Sequence, residues 1–165
     1  MKSWQQAFSA AAMISSSVAP GFPNRILEPK EIPVVLDGDK VVDRPVEIAG
    51  KNYNITCVSM GNPHCVVFMD DIDNLDIETV GPEFENDKLF PERVNTEFVT
   101  VLDDHTIKMR VWERGSGETW ACGTGACAAA VASVLNGYCK REQEILIHLR
   151  GGDLRIIYHN DESVT

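Results

Sequence analysis

The residues best suited to chemistry lie late in this 165-residue chain, where Cys122 stands among glycines directly before an uncharged, alanine-rich stretch. We expect a helix over residues 123–136, which would place Cys122 at its N-terminus. Unpaired backbone N–H groups and the helix dipole favour negative charge at that position. A thiolate and a substrate carboxylate would both be stabilised there, so we predict a functional thiol with a lowered pKa. Cys127, one turn further along, is expected to fill the core instead.

Polar residues elsewhere in the chain could serve the same site, although each also has a purely structural interpretation. Glu113 and Arg114 close a predicted strand beside a glycine-rich turn, where a carboxylate and a guanidinium could bind an ammonium and a carboxylate. They could equally be a solvated strand end. His64, which follows Asn62 and a proline, could simply close a turn, and the residue taken alone favours that interpretation. Asn95 has the same ambiguity.

Composition and charge exclude several classes of protein. The net charge of −10, from 25 acidic and 15 basic residues, argues against binding of nucleic acid, since the chain has no basic cluster. No apolar run reaches the roughly 20 residues needed to span a bilayer. Five cysteines without a C-x-x-C spacing argue against a disulfide framework and favour a reducing cytoplasm. The spacings of the four histidines and the cysteines match no zinc pattern, so we expect no metal.

Helices and short strands are predicted to position these residues. The helix over residues 123–136 belongs to a stretch without charged side chains, so we expect it to be buried nearly all round. Antiparallel strands wrapped around such a helix of small residues make an α+β fold. Further helices are expected over residues 80–90 and 3–14, the latter before a break at residues 20–24. Strands are expected over residues 32–36, 41–48, 53–60, 65–69, 97–102, 106–114, 144–149 and 154–159.

Three motifs resemble the C-terminal half of diaminopimelate epimerase, a cofactor-independent amino-acid isomerase. The first two are Ser59-Met60-Gly61-Asn62-Pro63-His64-Cys65-Val66 and Pro91-Glu92-Arg93-Val94-Asn95. The third is Val111-Trp112-Glu113-Arg114-Gly115, continued by Glu118-Thr119-Trp120-Ala121-Cys122-Gly123-Thr124-Gly125-Ala126. Because the motifs occur in the family's order and spacing, we assign residues 26–165 to an epimerase-like domain. Residues 1–25 do not resemble the family and are interpreted as a leader.

The resemblance implies one lobe of the epimerase fold and the interconversion of LL- and meso-diaminopimelate in lysine biosynthesis, without a metal or an organic cofactor. One cysteine thiolate would remove the α-proton while a second thiol delivers a proton to the opposite face, and Cys122 would be one of the two. Glu113 and His64 would assist it. Recognition of the substrate would fall to Asn62, Asn95, Glu113, Arg114, Gly123 and Thr124, the last two through backbone N–H groups that hold the α-carboxylate.

The family has two similar halves, and the segment with its other catalytic cysteine has no counterpart in this sequence. We therefore expect a fragment, and we expect its monomer not to epimerise by itself. Two copies could associate and bring two Cys122 residues across one cleft, or a separate N-terminal half could be the partner. Two alternatives remain open. One is a non-catalytic lobe that binds a diamino acid; the other, less favoured, is a thiol hydrolase or redox protein, which would need His64 or Cys127 beside Cys122.

Overall fold

A computed structural model describes Leu27 and residues 32–165 of the chain. The expected helix at residues 3–14 and the break at residues 20–24 lie outside this part. Eight strands form one sheet: β1 Arg44–Ile48, β2 Lys51–Ser59, β3 Pro63–Phe68, β4 Asn95–Asp103, β5 Thr106–Glu113, β6 Gly117–Thr119, β7 Glu144–Leu149 and β8 Gly152–Ile157. The helices within the described residues are α1 Ile77–Glu85 and α2 Gly123–Leu135. Neither has the length and apolarity that crossing a membrane would require.

The order of strands across the sheet is β1-β2-β3-β4-β5-β7-β8, and the short β6 pairs with β5 away from this path. The α+β fold is confirmed, and most neighbouring strands are antiparallel as expected. Two pairs, β3 with β4 and β5 with β7, are instead parallel. Each parallel pair is joined by a segment that contains a helix, α1 in the first case and α2 in the second. Parallel neighbours need such crossovers, because a tight turn can only reverse the chain.

Helix α2 is buried against one face of the curved sheet. It contacts β2, β3, β4 and β5, and also β7 and β8 beyond them. Its residues 128–132 are fully buried, which confirms the prediction that this uncharged helix lies in the core. Alanines on this helix let the strands approach closely, and strand residues such as Val66 and Val111 pack against them.

The opposite face of the sheet forms a second core with α1. Because side chains alternate along a strand, the neighbours of the α2-facing residues point this way. Cys65, Phe98 and Trp112 lie here, together with Phe84 of α1. The sheet is therefore covered on both faces where β3 and β4 pair, since each of these strands contributes residues to both cores.

Several boundaries differ from the predicted ones. Residues 32–36 form no strand, and α1 begins at residue 77 rather than 80 and ends at Glu85. Strand β3 begins at Pro63, so His64 lies inside the sheet rather than in a turn. Gly61 makes this compact reversal of the chain feasible, because it adopts a left-handed φ of 90°. As a result His64 is fully buried.

The contact between Gly81 and Trp112 fixes α1 on the sheet and can be tested by substitution. A Cβ on Gly81 would lie 2.3 Å from Cδ2 of Trp112, whose Nε1 donates to Glu85 Oε2 at 2.7 Å. Alanine favours a helix over glycine by about 1 kcal/mol, but overpacking costs about 1–3 kcal/mol. We predict that Gly81→Ala lowers the free energy of unfolding measured by urea denaturation. Glu78→Ala, on the exposed face of the same helix, should change it by less than about 0.5 kcal/mol. Equal stability of Gly81→Ala and the unaltered chain would contradict the described packing.

Candidate active site

Cys122 is the N-cap residue of α2, as the sequence predicted. Its backbone is extended, with φ −134° and ψ 105°, and the helix begins at Gly123. The Cys122 Sγ accepts a hydrogen bond from the Gly125 N–H at 3.3 Å and lies 3.6 Å from Thr124 Oγ1. The sulfur thus takes the place that an oxygen of serine or aspartate usually occupies at a helix start.

The predicted lowering of the Cys122 pKa is wrong for the chain as described. Burial, together with the nearby carboxylates of Glu97 and Glu113, raises the pKa of this thiol to about 12. The hydrogen bonds from Thr124 and Gly125 act in the opposite direction but are weaker. A buried thiolate loses its hydration and is repelled by negative neighbours, so Cys122 carries its proton at neutral pH.

Glu97 is the residue that the sequence analysis missed. It lies on β4 with no exposed surface, and its Oε1 is 2.7 Å from His64 Nδ1. Its other oxygen, Oε2, has no hydrogen-bond partner within the described part of the chain. Burial raises the Glu97 pKa, while His64 lowers it. The available signal was a glutamate between Thr96 and Phe98, in a strand whose other residues before Asp103 are uncharged, on the face that packs against α2.

His64 connects Glu97 to the start of α2 through Asn62. The Nε2 of His64 lies 3.0 Å from Asn62 Oδ1, and Asn62 Nδ2 donates to Thr124 Oγ1 at 3.5 Å. Both ring nitrogens are therefore engaged, one by a carboxylate and the other by an amide oxygen. This chain of contacts places Asn62, His64 and Thr124 in one cluster with Cys122.

Glu113 ends β5 and Arg114 begins the loop after it, so both lie at the end of the sheet that carries His64 and Asn95. Glu113 Oε1 accepts a hydrogen bond from Thr119 Oγ1 at 2.5 Å. Asn95 Oδ1 accepts from the Arg114 backbone N–H at 3.0 Å, and Asn95 Nδ2 donates to the Pro63 carbonyl at 3.1 Å. Asn95 is buried, so in the described chain it ties three segments together.

Glu85 of α1 fixes the glycine-rich turn that follows Arg114. Its Oε1 accepts from the Gly115 N–H at 2.8 Å and from Arg93 Nη1 at 3.0 Å. Its Oε2 accepts from the Trp112 indole. The carboxylate thus holds the turn against α1 and sets where Arg114 leaves the sheet.

The N-terminus of α2 provides the groups suited to an anion. Gly123 is half-buried and Thr124 is exposed. The first N–H groups of a helix have no intrahelical partner, and that of Gly125 is taken by Cys122 Sγ. Within the described residues the N–H groups of Gly123 and Thr124 make no hydrogen bond, so a carboxylate can bind them.

The other four cysteines belong to the core or its margin. Cys57 and Cys65 lie opposite each other on β2 and β3, on the face that packs against α1. Cys127 packs against the α2 core, as predicted, and burial raises its pKa to about 11. All five are free thiols. Cys122, by contrast, contacts the cluster through Thr124.

One grouping of metal-type ligands occurs among the described residues, and it is separate from the cluster at Cys122. It consists of Asp103, Asp104 and His105, all exposed, at the turn between β4 and β5. The His105 Nδ1 lies 2.7 Å from Asp104 Oδ1. The group contains no cysteine and only one histidine, and exposed carboxylates pair with a nearby histidine in this way without any ion.

Gly125 tests how tightly the cluster is packed. A Cβ at this position would lie 2.7 Å from Glu97 Oε1 and 3.1 Å from Cys122 Sγ. We predict that Gly125→Ala breaks the Glu97–His64 contact and lowers stability by about 1–3 kcal/mol, although alanine is the better helix residue. Thermal denaturation and a crystal structure of the variant would measure both effects. An unchanged Nδ1–Oε1 distance and unchanged stability would contradict the described packing.

Comparison with known proteins identifies the chain's relatives. A family model described as diaminopimelate epimerase matches residues 56–165. The diaminopimelate epimerases of Geobacillus sp. (strain WCH70) and Agathobacter rectalis are 55% and 54% identical over 139 and 140 residues. These matches cover 84% and 81% of this chain and 49% and 48% of the relatives. The enzyme of Desulfovibrio desulfuricans is 51% identical over 162 residues, which is 94% of this chain and 54% of the relative.

A solved structure, the Bacillus anthracis phenazine biosynthesis protein of the PhzF family, matches 68% of this chain and 37% of its own, with 23% identity and a TM-score of 0.47. The chain spans about half the length of the curated relatives it matches. The family match begins at Thr56 on β2 and ends at Thr165. It therefore includes β3, β4 and α2, which carry His64, Glu97 and Cys122. The match to the family model and the identities with the curated relatives show that the chain belongs to the diaminopimelate epimerase family.

Proposed function

We propose that this chain supplies one of the two acid–base groups of a diaminopimelate epimerase, and that Cys122 is that group. The observation that carries the proposal is the position of this thiol at the N-cap of α2, beside two backbone N–H groups open to a carboxylate. An amino acid held there by its α-carboxylate would bring its α-carbon close to Cys122 Sγ. Charge that develops on the carboxylate as the proton leaves would be stabilised by the same N–H groups.

The remaining predicted residues would recognise the substrate, and Glu113 and His64 would in addition assist Cys122. Arg114 and Glu113 carry the opposite charges that a diamino dicarboxylate presents, and Asn62 stands next to Thr124 at the helix start. Asn95 would act mainly through the backbone of Arg114, which it holds. His64 would contribute through Asn62, since its ring contacts that amide. These assignments are predictions of the proposal.

The protonation of Cys122 supports a donor role in the first half of the reaction. A thiol with a pKa of about 12 holds its proton and can deliver it to a carbanion. The base that removes the α-proton from the other face would come from a second cysteine. It could lie in a second half of the kind that the relatives' greater length provides, or in a second copy of this chain. A reducing, cytoplasmic setting belongs to the proposal, because thiol chemistry requires free cysteines.

The geometry disfavours the thiol-hydrolase and redox alternatives. A cysteine hydrolase needs an imidazole that accepts the proton of its thiol. Both ring nitrogens of His64 are engaged by Glu97 and Asn62, and no hydrogen bond joins the ring to Cys122 among the described residues. Cys127, the other candidate partner, packs into the core. A lobe that binds diaminopimelate without turnover remains the competing outcome of the experiment below.

Exchange of the diaminopimelate α-proton in deuterated water tests the proposal. A single thiolate can break the Cα–H bond, exchange the proton on sulfur with solvent and return a deuteron to the same face. We predict slow exchange without inversion, followed by mass spectrometry and chiral chromatography. Because only the thiolate abstracts the proton and the Cys122 pKa is raised to about 12, the rate should increase as the pH rises above neutrality.

Two variants control this experiment. Cys122→Ala should reduce exchange to the uncatalysed rate, whereas Cys127→Ala, which removes the thiol one turn further along the same helix, should retain it. Exchange that survives in Cys122→Ala would contradict the assignment of this thiol. Substrate binding without any exchange in the unaltered chain would favour the non-catalytic lobe.

Association of two copies is the second prediction of the proposal. If a second copy supplies the second thiol, the chain should dimerise, and epimerisation should rise with the square of protein concentration while monomer predominates. Analytical ultracentrifugation alongside the chiral assay would measure both. A monomer at high concentration would exclude the dimer and leave a separate half as the source of the second group.

A further inference from the structure

Glu97 is a buried acid to which the proposed reaction assigns no role. Neither Glu97 nor its partner His64 has any exposed surface. A carboxylate loses several kcal/mol of hydration when it is buried, and it persists only where a partner compensates. One oxygen has the His64 imidazole at 2.7 Å, but the other has no partner in the described chain. Such an incompletely satisfied acid points to a function beyond packing.

The position of Glu97 relates it directly to Cys122. Glu97 Oε1 and Cys122 Sγ both lie within 3.1 Å of the point that a Cβ of Gly125 would occupy. The absent side chain at Gly125 therefore lets the carboxylate approach both the sulfur and the first turn of α2. No charged side chain of α2 lies between them, because the helix has none.

A proton must lie between Glu97 and His64. At 2.7 Å, His64 Nδ1 and Glu97 Oε1 cannot both act as acceptors. His64 Nε2 lies 3.0 Å from Asn62 Oδ1, so both ring nitrogens are engaged and the imidazole is fixed beside the carboxylate.

Other titratable groups interact electrostatically with this carboxylate. They are Cys122 at the start of α2, Glu113 on β5 and, on the opposite face of the sheet, Cys65 on β3. Glu97 opposes ionisation of both thiols. Glu113 raises the pKa of Glu97 in turn. Of these groups, Cys122 is the thiol of the proposed site, and the carboxylates of Glu97 and Glu113 both raise its pKa.

We propose that Glu97 is a positioning residue which, held by His64, keeps Cys122 in its thiol form and so gives this cysteine the proton-donor role before substrate binds. The inference rests on the proposed function, because the donor role has meaning only for proton transfer. After Cys122 has delivered its proton to carbon, the thiolate would lie beside Glu97 and be disfavoured, which promotes its reprotonation. Glu97 itself touches neither substrate nor carbon.

Alkylation of Cys122 by iodoacetamide tests this without any substrate. Peptide mass spectrometry distinguishes Cys122 from the other four cysteines, and the rate at a fixed pH follows the thiolate fraction. We predict that Glu97→Gln, which keeps the shape and a hydrogen bond to His64, accelerates alkylation of Cys122 at about pH 8 by threefold or more and lowers the pH at which the rate levels off. Thr96→Val is the matched control, since it removes the unpartnered hydroxyl of the adjacent residue and should leave the rate unchanged.

Glu97→Asp separates charge from packing. Aspartate keeps the negative charge with a shorter side chain, so it should retain slow alkylation close to that of the unaltered chain. Acceleration in both Glu97 variants would show that the residue only packs the site, and no acceleration in Glu97→Gln would show that its charge does not govern the thiol. Either result overturns the inference. Neither depends on diaminopimelate, so a failure of the exchange experiment would be distinguishable from a failure here.

Discussion

Helix α2 has no charged side chain, so it is stabilised by hydrophobic packing against the strands that remove its surface from water. Alanines allow the strands to come close, and contacts from β2 to β8 enclose the helix. A helix held in this way has a fixed N-terminus. The position of Cys122, the two open N–H groups beside it and the strands that carry His64 and Glu97 all follow from that one packing constraint.

Burial of the helix start also decides the electrostatics of the site. A helix N-terminus typically stabilises a negative charge by about 0.3–1 kcal/mol, and up to about 2 kcal/mol where partly buried. The rise of the Cys122 pKa from 9.0 to about 12 corresponds to roughly 4 kcal/mol in the opposite direction. Desolvation and the two carboxylates thus outweigh the dipole in the chain as described. A bound substrate with a positive ammonium group would shift this balance toward the thiolate.

This balance fits a site in which one thiol donates and another group abstracts. A pair of thiols can invert a stereocentre only if one begins protonated and the other does not. The cluster around Cys122 favours the protonated state through buried neighbours, while the open N–H groups of Gly123 and Thr124 remain suited to a carboxylate. The two functions use different atoms of the same helix turn, so the protein can hold the thiol neutral and still bind an anion next to it.

The helix over residues 123–135, its burial and the place of Cys122 at its start could be predicted from the sequence, because they depend on local residue types: small apolar side chains, flanking glycines and the absence of charge. Most strands could be predicted for the same reason, from their alternation.

The sequence could not predict the parallel pairing of β3 with β4, the entry of His64 into a strand or the role of Glu97. Glu97 and His64 are 33 positions apart, and only the register of neighbouring strands brings them together. The ionisation of Cys122 also depends on the tertiary structure. A pKa is set by the charges around a group and by how much water reaches it, and tertiary packing determines both.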